Sequence, residues 1–212
     1  GWAAGFMVFV LFAGTALADW SDRFGPVALV TISEVRENPD AYLESVVRLE
    51  ARFDRFGRLF NPVYTRFVDE RYVNFSAWGE EQPLWERDEY ADPYPYFYFD
   101  KGHPEIKTLH DLDRYESIEL LCYVRDIFRG VVWIDVVGIR RLDNGVISDR
   151  TLSQIVRGRE HFRAQEWDGC LREFKDARMA PLPVAYAARL QLDIALVYTY
   201  KKGPAFRQAA EV

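Results

Sequence analysis

Val46-Val47-Arg48-Leu49-Glu50-Ala51-Arg52-Phe53 alternates, placing Val47, Leu49, Ala51 and Phe53 on one side and Arg48, Glu50, Arg52 and Asp54 on the other. A period of two is the mark of an extended strand, whose successive Cβ atoms point to opposite faces, so one face should meet a core and the other water. Gly57 then signals a turn. Residues 63–68 and 72–78, rich in β-branched and aromatic side chains, read as the second and third strands. Pro83, Pro93 and Pro95, with Pro104 just beyond, predict that residues 79–102 hold no regular helix. After His103-Pro104-Glu105, the spacing of Ile106, Leu109 and Leu112 predicts a short helix with proline in its first turn. Residues 118–124 and 131–139 read as two last strands around Asp126-Ile127-Phe128-Arg129-Gly130.

Three strands, a helix and two strands within about a hundred residues resemble the OB-fold, a five-stranded Greek-key barrel. The Asn38-Pro39 turn ahead of the Val46 strand is similar to the lead-in of small exported OB-like domains. So is the run Tyr123-Val124-Arg125-Asp126-Ile127-Phe128-Arg129-Gly130 leading into Trp133-Ile134-Asp135-Val136. The resemblance implies a ligand face around the second and third strands. There the sequence offers Tyr64, Arg66, Tyr72, Asn74 and Trp78 as candidate binding residues, close to the aromatic run Tyr94-Pro95-Tyr96-Phe97-Tyr98-Phe99. Rings and arginine together stack on sugars, bases or peptide side chains.

Past Asn144-Gly145 the apolar period lengthens to about 3.6, that of a helix. Gly158, Phe162, Trp167, Cys170, Phe174, Ala177 and Pro181 resemble the glycine, aromatic, small-residue and proline positions of a tetratricopeptide repeat, where small residues let two helices cross closely. A partial second copy, with a helix ending at 200–203 and Phe206 and Ala209 matching Trp167 and Cys170, is expected 39 residues further on. The expected architecture is therefore α+β: a segment 1–18, an OB-like barrel over 19–143 and tetratricopeptide-like helices over 144–212.

Residues 1–18 carry no charge, and the run to Ala13 followed by Ala16-Leu17-Ala18 reads as the apolar core and cleavage site of a secretory signal, or, if retained, a membrane anchor. An exported, periplasmic or extracellular protein is expected, touching a membrane only through that segment. The whole chain of 212 residues has 33 acids, 27 bases and a net charge of -6. Residues 19–143 hold 25 acids and 16 bases, whereas 144–212 hold 8 acids and 11 bases. An acidic barrel argues against nucleic acid as a partner, since phosphate neutralisation calls for a basic surface.

Catalytic chemistry finds little purchase. No His-Glu-x-x-His, Gly-x-Ser-x-Gly, phosphate-binding loop or dinucleotide fingerprint is present. His103, His110 and His161 read as helix-terminal and helix-face residues, and Cys122 and Cys170 as buried hydrophobes. The acidic run Glu80-Glu81, Glu86, Asp88, Glu89, Asp92 lacks the alternating spacing that wraps calcium, so no metal and no cofactor are expected. The sequence thus points to a non-enzymatic interaction protein of the cell envelope, holding a protein partner on its helices. The alternatives are an oligonucleotide or oligosaccharide binder working through the barrel face, and a hydrolase using residues such as Asp88 and Glu89.

Overall fold

The computed structural model of the protein describes Trp20 and residues 24–210, with side chains through Lys202. The leader expected over 1–18 lies outside the described residues. Five strands close on themselves: β2 (Val46–Gly57), β3 (Tyr72–Gly79), β4 (Tyr94–Asp100), β5 (Ser117–Phe128) and β6 (Val131–Arg141). Pairing runs β2-β3-β4-β6-β5 and returns from β5 to β2, with every contact antiparallel except β4 against β6. That circuit is the OB-like barrel order, with its crossover helix between the third and fourth barrel strands. A two-residue strand β1 (Leu29–Val30) lies parallel to the first half of β2.

The barrel closes because each strand sends one face inward. Val47, Leu49, Ala51 and Phe53 meet Phe75, Phe97, Phe99, Leu120, Cys122, Ile134 and Val136 in a single interior cluster. Each fully buried side chain of this kind contributes about 1.5–3 kcal/mol. The ends are plugged by short helices. Thr31 caps α1 (Ile32–Glu37) in a reciprocal box with Glu34, and the helix buries Ile32 and Val35. Pro39 opens α2 (Pro39–Tyr42), and α4 (Ile106–His110) seats Leu109.

Two readings of the strand region are corrected. Residues 63–68 form no strand: Asn61-Pro62 starts a turn in which the Tyr64 and Thr65 N–H groups both donate to the Asn61 carbonyl, at 3.2 and 2.9 Å. The third strand is β4, so the predicted strand count stands with a different member. Between Pro83 and Pro93 a one-turn helix, α3 (Arg87–Ala91), does form, since the nine residues between the prolines leave room for a turn with its own N–H groups.

The helices follow as α5 (Asp149–Arg163), α6 (Trp167–Arg178) and α7 (Val184–Ala210). Ser148 caps α5, accepting from the Thr151 N–H at 3.2 Å. A three-residue link turns the chain back, and α5 and α6 cross closely at Gly158, where an added Cβ would stand 2.4 Å from the Phe174 ring. The turn expected near Gly203 is absent, because α7 runs unbroken to Ala210.

The helices do not pack apart from the barrel. Trp78, Leu84 and Tyr115 of the barrel share one apolar cluster with Ile155, Phe174, Tyr186 and Ile194. The outer face of β2, expected to meet water, is consequently covered. Arg52 is fully buried, paired with Glu80 and lying 4.7 Å from the centre of the Tyr186 ring. Asp54 is buried between Arg55, at 3.0 Å, and Arg114, at 2.9 Å, and accepts from Ser76 Oγ at 2.9 Å. Burying charged groups is costly unless they are paired and hydrogen-bonded.

Candidate functional site

The loop 58–71, joining β2 to β3, folds back over the outer faces of β3, β4 and β6. Asn74 fastens its start: Oδ1 accepts from the Leu59 N–H at 2.9 Å, while Nδ2 donates to the Pro95 and Phe97 carbonyls at 2.8 and 3.1 Å. Gly57 is required beside it, since a Cβ there would stand 2.3 Å from Asn74 Oδ1. Tyr98 Oη donates to the Leu59 carbonyl at 2.6 Å. Phe67 then lies fully buried on Tyr98, and Tyr98 on Trp133, in near-parallel planes. The outer aromatic platform is therefore filled by the chain's own ring.

What remains open is a groove of about 350 Å³ between this loop and the tip of the β5–β6 hairpin. Arg58, Phe60, Tyr96, Phe128, Arg129 and Trp133 line it, and among the described residues its only charged lining groups are the two arginines. Tyr64, 64% exposed, stacks on Phe128 with centroids 4.6 Å apart and planes 17° apart. The hairpin tip is a two-residue turn, Arg129 at φ 54° and Gly130 at φ 76°, closed by the Phe128–Val131 pair. Asn, Asp or Gly suits the first of these positions best, and an arginine there costs roughly 1–2 kcal/mol. The strain sets a guanidinium at the mouth of the groove, 5.3 Å from the Phe128 ring centre. At the floor, Trp133 Nε1 is shielded from solvent and has no hydrogen-bond partner among the described residues.

A second cavity, of about 480 Å³, opens beside the same loop. Each lining arginine has a carboxylate partner: Arg71 with Asp100 at 2.8 Å, Arg125 with Asp135 at 2.9 Å, and Arg66 with Asp126, which lies outside the lining, at 3.8 Å. Burial raises the Asp135 pKa, opposed by Arg125, while the Arg71 hydrogen bond lowers that of Asp100. A balanced set of this kind holds the loop in place rather than presenting net charge.

Of the residues picked from sequence, Tyr64 and Arg66 stand on the loop surface. Tyr72, Asn74 and Trp78 are buried. Trp78 belongs to the core shared with the helices, donating to the Tyr90 carbonyl at 3.1 Å and flanked by Tyr90 and Tyr115. Sequence reading placed Tyr96 in the adjacent aromatic run and missed Arg58, Phe60, Phe128, Arg129 and Trp133 as site residues. Outward alternation of Tyr96 and Tyr98 in β4, and of Trp133 in β6, was the available signal. Cys122 and Cys170 are free and buried. His103 accepts from the Glu105 N–H at 3.2 Å, His110 packs against Phe56, and His161 contacts Glu166. Among the described residues no group of three or more His, Cys, Asp or Glu converges as a metal site, and no helix is long and apolar enough to cross a membrane.

No family model matches the sequence, and no curated protein matches it. Among solved structures the chain is similar to the crystal structure of yeast Stn1 and Ten1, with 15% identity over 66% of this chain and 93% of that one, at a TM-score of 0.32. The fold assignment rests on the strand circuit described above. The expectation that argued against nucleic acid is corrected by the lining of the groove itself. It averaged charge over residues 19–143, and net charge does not describe a groove whose charged lining residues are all arginine.

Proposed function

We propose that the barrel binds single-stranded oligonucleotide in the groove between the loop 58–71 and the tip of the β5–β6 hairpin. One observation carries this reading: a groove floored by Phe60, Tyr96, Phe128 and Trp133 whose only charged lining groups among the described residues are Arg58 and Arg129. Single strands are held by base stacking on rings and by cations along the phosphates. The stacked Tyr64–Phe128 pair offers the outermost ring to a base, and the arginines meet adjacent phosphates. In the same reading α5 and α6 are a tetratricopeptide-like pair, supported by the Gly158–Phe174 approach, and the protein acts by binding rather than by catalysis.

The test is an anisotropy titration of the full chain against fluorescein-labelled oligothymidine. Tyr64→Ala and Phe128→Ala should each weaken binding by about 1–3 kcal/mol, the share of one stacked base. Binding of a neutral oligosaccharide in its place, insensitive to Arg58 and Arg129, would overturn the proposal.

A further inference from the structure

The three long helices enclose a cavity away from the barrel groove. Its volume is about 110 Å³, room for about one aliphatic side chain. Phe162 and Phe174 form its apolar wall, and Leu196 of α7 stands at its edge, 44% exposed. Around it Arg159, Arg163 and Arg189 share two carboxylates. Asp193 takes Arg159 and Arg189, each at 3.3 Å, and Glu86 takes Arg159 and, at 3.4 Å, Arg163. One positive charge is left over, and the Arg163 and Arg189 side chains are 67% and 55% exposed.

The surface continues along α7. Tyr186, Leu190, Ile194 and Val197 are buried on one side, as an amphipathic helix requires, yet Ala188, Leu192, Ala195 and Leu196 on the other side are exposed and uncharged. Apolar rows one helical turn apart are commonly found where another element packs.

We propose that this face docks an acidic protein segment. One aliphatic side chain enters the cavity against Phe162 and Leu196, and flanking carboxylates pair with Arg163 and Arg189. The excess of guanidinium over carboxylate selects acidic partners, while the cavity selects a branched aliphatic residue at the centre. The site is separate from the barrel groove, so it stands whether or not the barrel takes a nucleic acid.

The probe is a fluorescein-labelled ten-residue peptide with one leucine among glutamates, titrated against the full chain. Replacing that leucine by serine, or making Leu196→Asp or Arg189→Glu in the protein, should each weaken binding about tenfold. Arg163→Gln, at a mostly exposed side chain, should weaken binding without changing the melting temperature. Arg58→Gln, in the barrel groove, should leave peptide binding unchanged. Equal affinity for a peptide carrying lysines in place of glutamates, or indifference to Arg163→Gln and Leu196→Asp together, would overturn the proposal. So would sedimentation showing a dimer that Leu192→Asp dissolves, since a second copy would then cover this face.

Discussion

Phe67 lies ring over ring on Tyr98, with centroids 4.0 Å apart and planes 16° apart, and Tyr98 lies likewise on Trp133 at 5.3 Å and 8°. A loop residue thus occupies the aromatic platform of the barrel, and the loop 58–71 is part of the packed structure. Phe67→Ala should cost about 3–5 kcal/mol in chemical denaturation, as for other buried phenylalanines. It should also change the fluorescence of Trp133. A loss under about 1 kcal/mol would mean that the loop is not held by this stack.

Gly158 sets two opposing effects against each other. Alanine gains about 1 kcal/mol in helix propensity, but its Cβ would sit 2.4 Å from the Phe174 ring, and overpacking costs about 1–3 kcal/mol. Because Phe174 is fully buried between α5 and α7, the clash should win and Gly158→Ala should destabilise. Adding Phe174→Leu should recover part of the loss. A net stabilisation by Gly158→Ala alone would show that the helices separate freely.

Burial raises the pKa values of Glu80, Asp135 and Asp193, in each case against a partly compensating arginine. A carboxyl group with a raised folded value binds its proton more tightly folded than unfolded. Its stabilising contribution is full below the ordinary carboxylate range, about pH 4, and is lost as pH rises through the raised value. Asp100, lowered by Arg71, acts in the opposite sense and only below that range. The melting temperature difference between pH 5 and pH 7 should therefore shrink in the Glu80→Gln/Asp135→Asn variant. A difference that grows would reverse the assigned directions.

Burial pushes the Cys170 thiol up to about 11 and raises that of Cys122 as well. Only the thiolate attacks thiol reagents. The native protein should show no thiol reacting with a chromogenic disulfide at pH 8, and two in denaturant. Fast reaction of Cys170 in the native state would place α6 away from its neighbours.

The fold was legible where local pattern and tertiary placement agree. The Val46–Gly57 strand announced its inward face, and the Arg129-Gly130 tip lay within the predicted turn. β4 was obscured because Pro95 interrupts a strand pattern. In the barrel Pro95 contributes only its carbonyl, which accepts from Asn74, and needs no donor of its own. The site was half legible. Tyr64 and Arg66 sit on the loop that carries it, but no local signal tells that residue 64 meets residue 128. Asn74 and Trp78 have the chemistry of a binding face and serve instead to tie the loop and the helices to the barrel. Arg52 and Asp54, polar residues of an alternating strand, carry a solvent-facing pattern, because nothing in β2 reveals that Tyr186 and Arg114 lie over that side.

The salt dependence of oligothymidine binding tests the central claim most directly. Each phosphate neutralised in a single strand contributes about 0.7 to the slope of log affinity against log salt concentration. The Arg58→Gln/Arg129→Gln variant, with two groove cations removed, should bind more weakly at low salt and show a slope shallower by about 1.4. Undetectable binding by the unaltered chain, or an identical slope for the two proteins, would contradict the account.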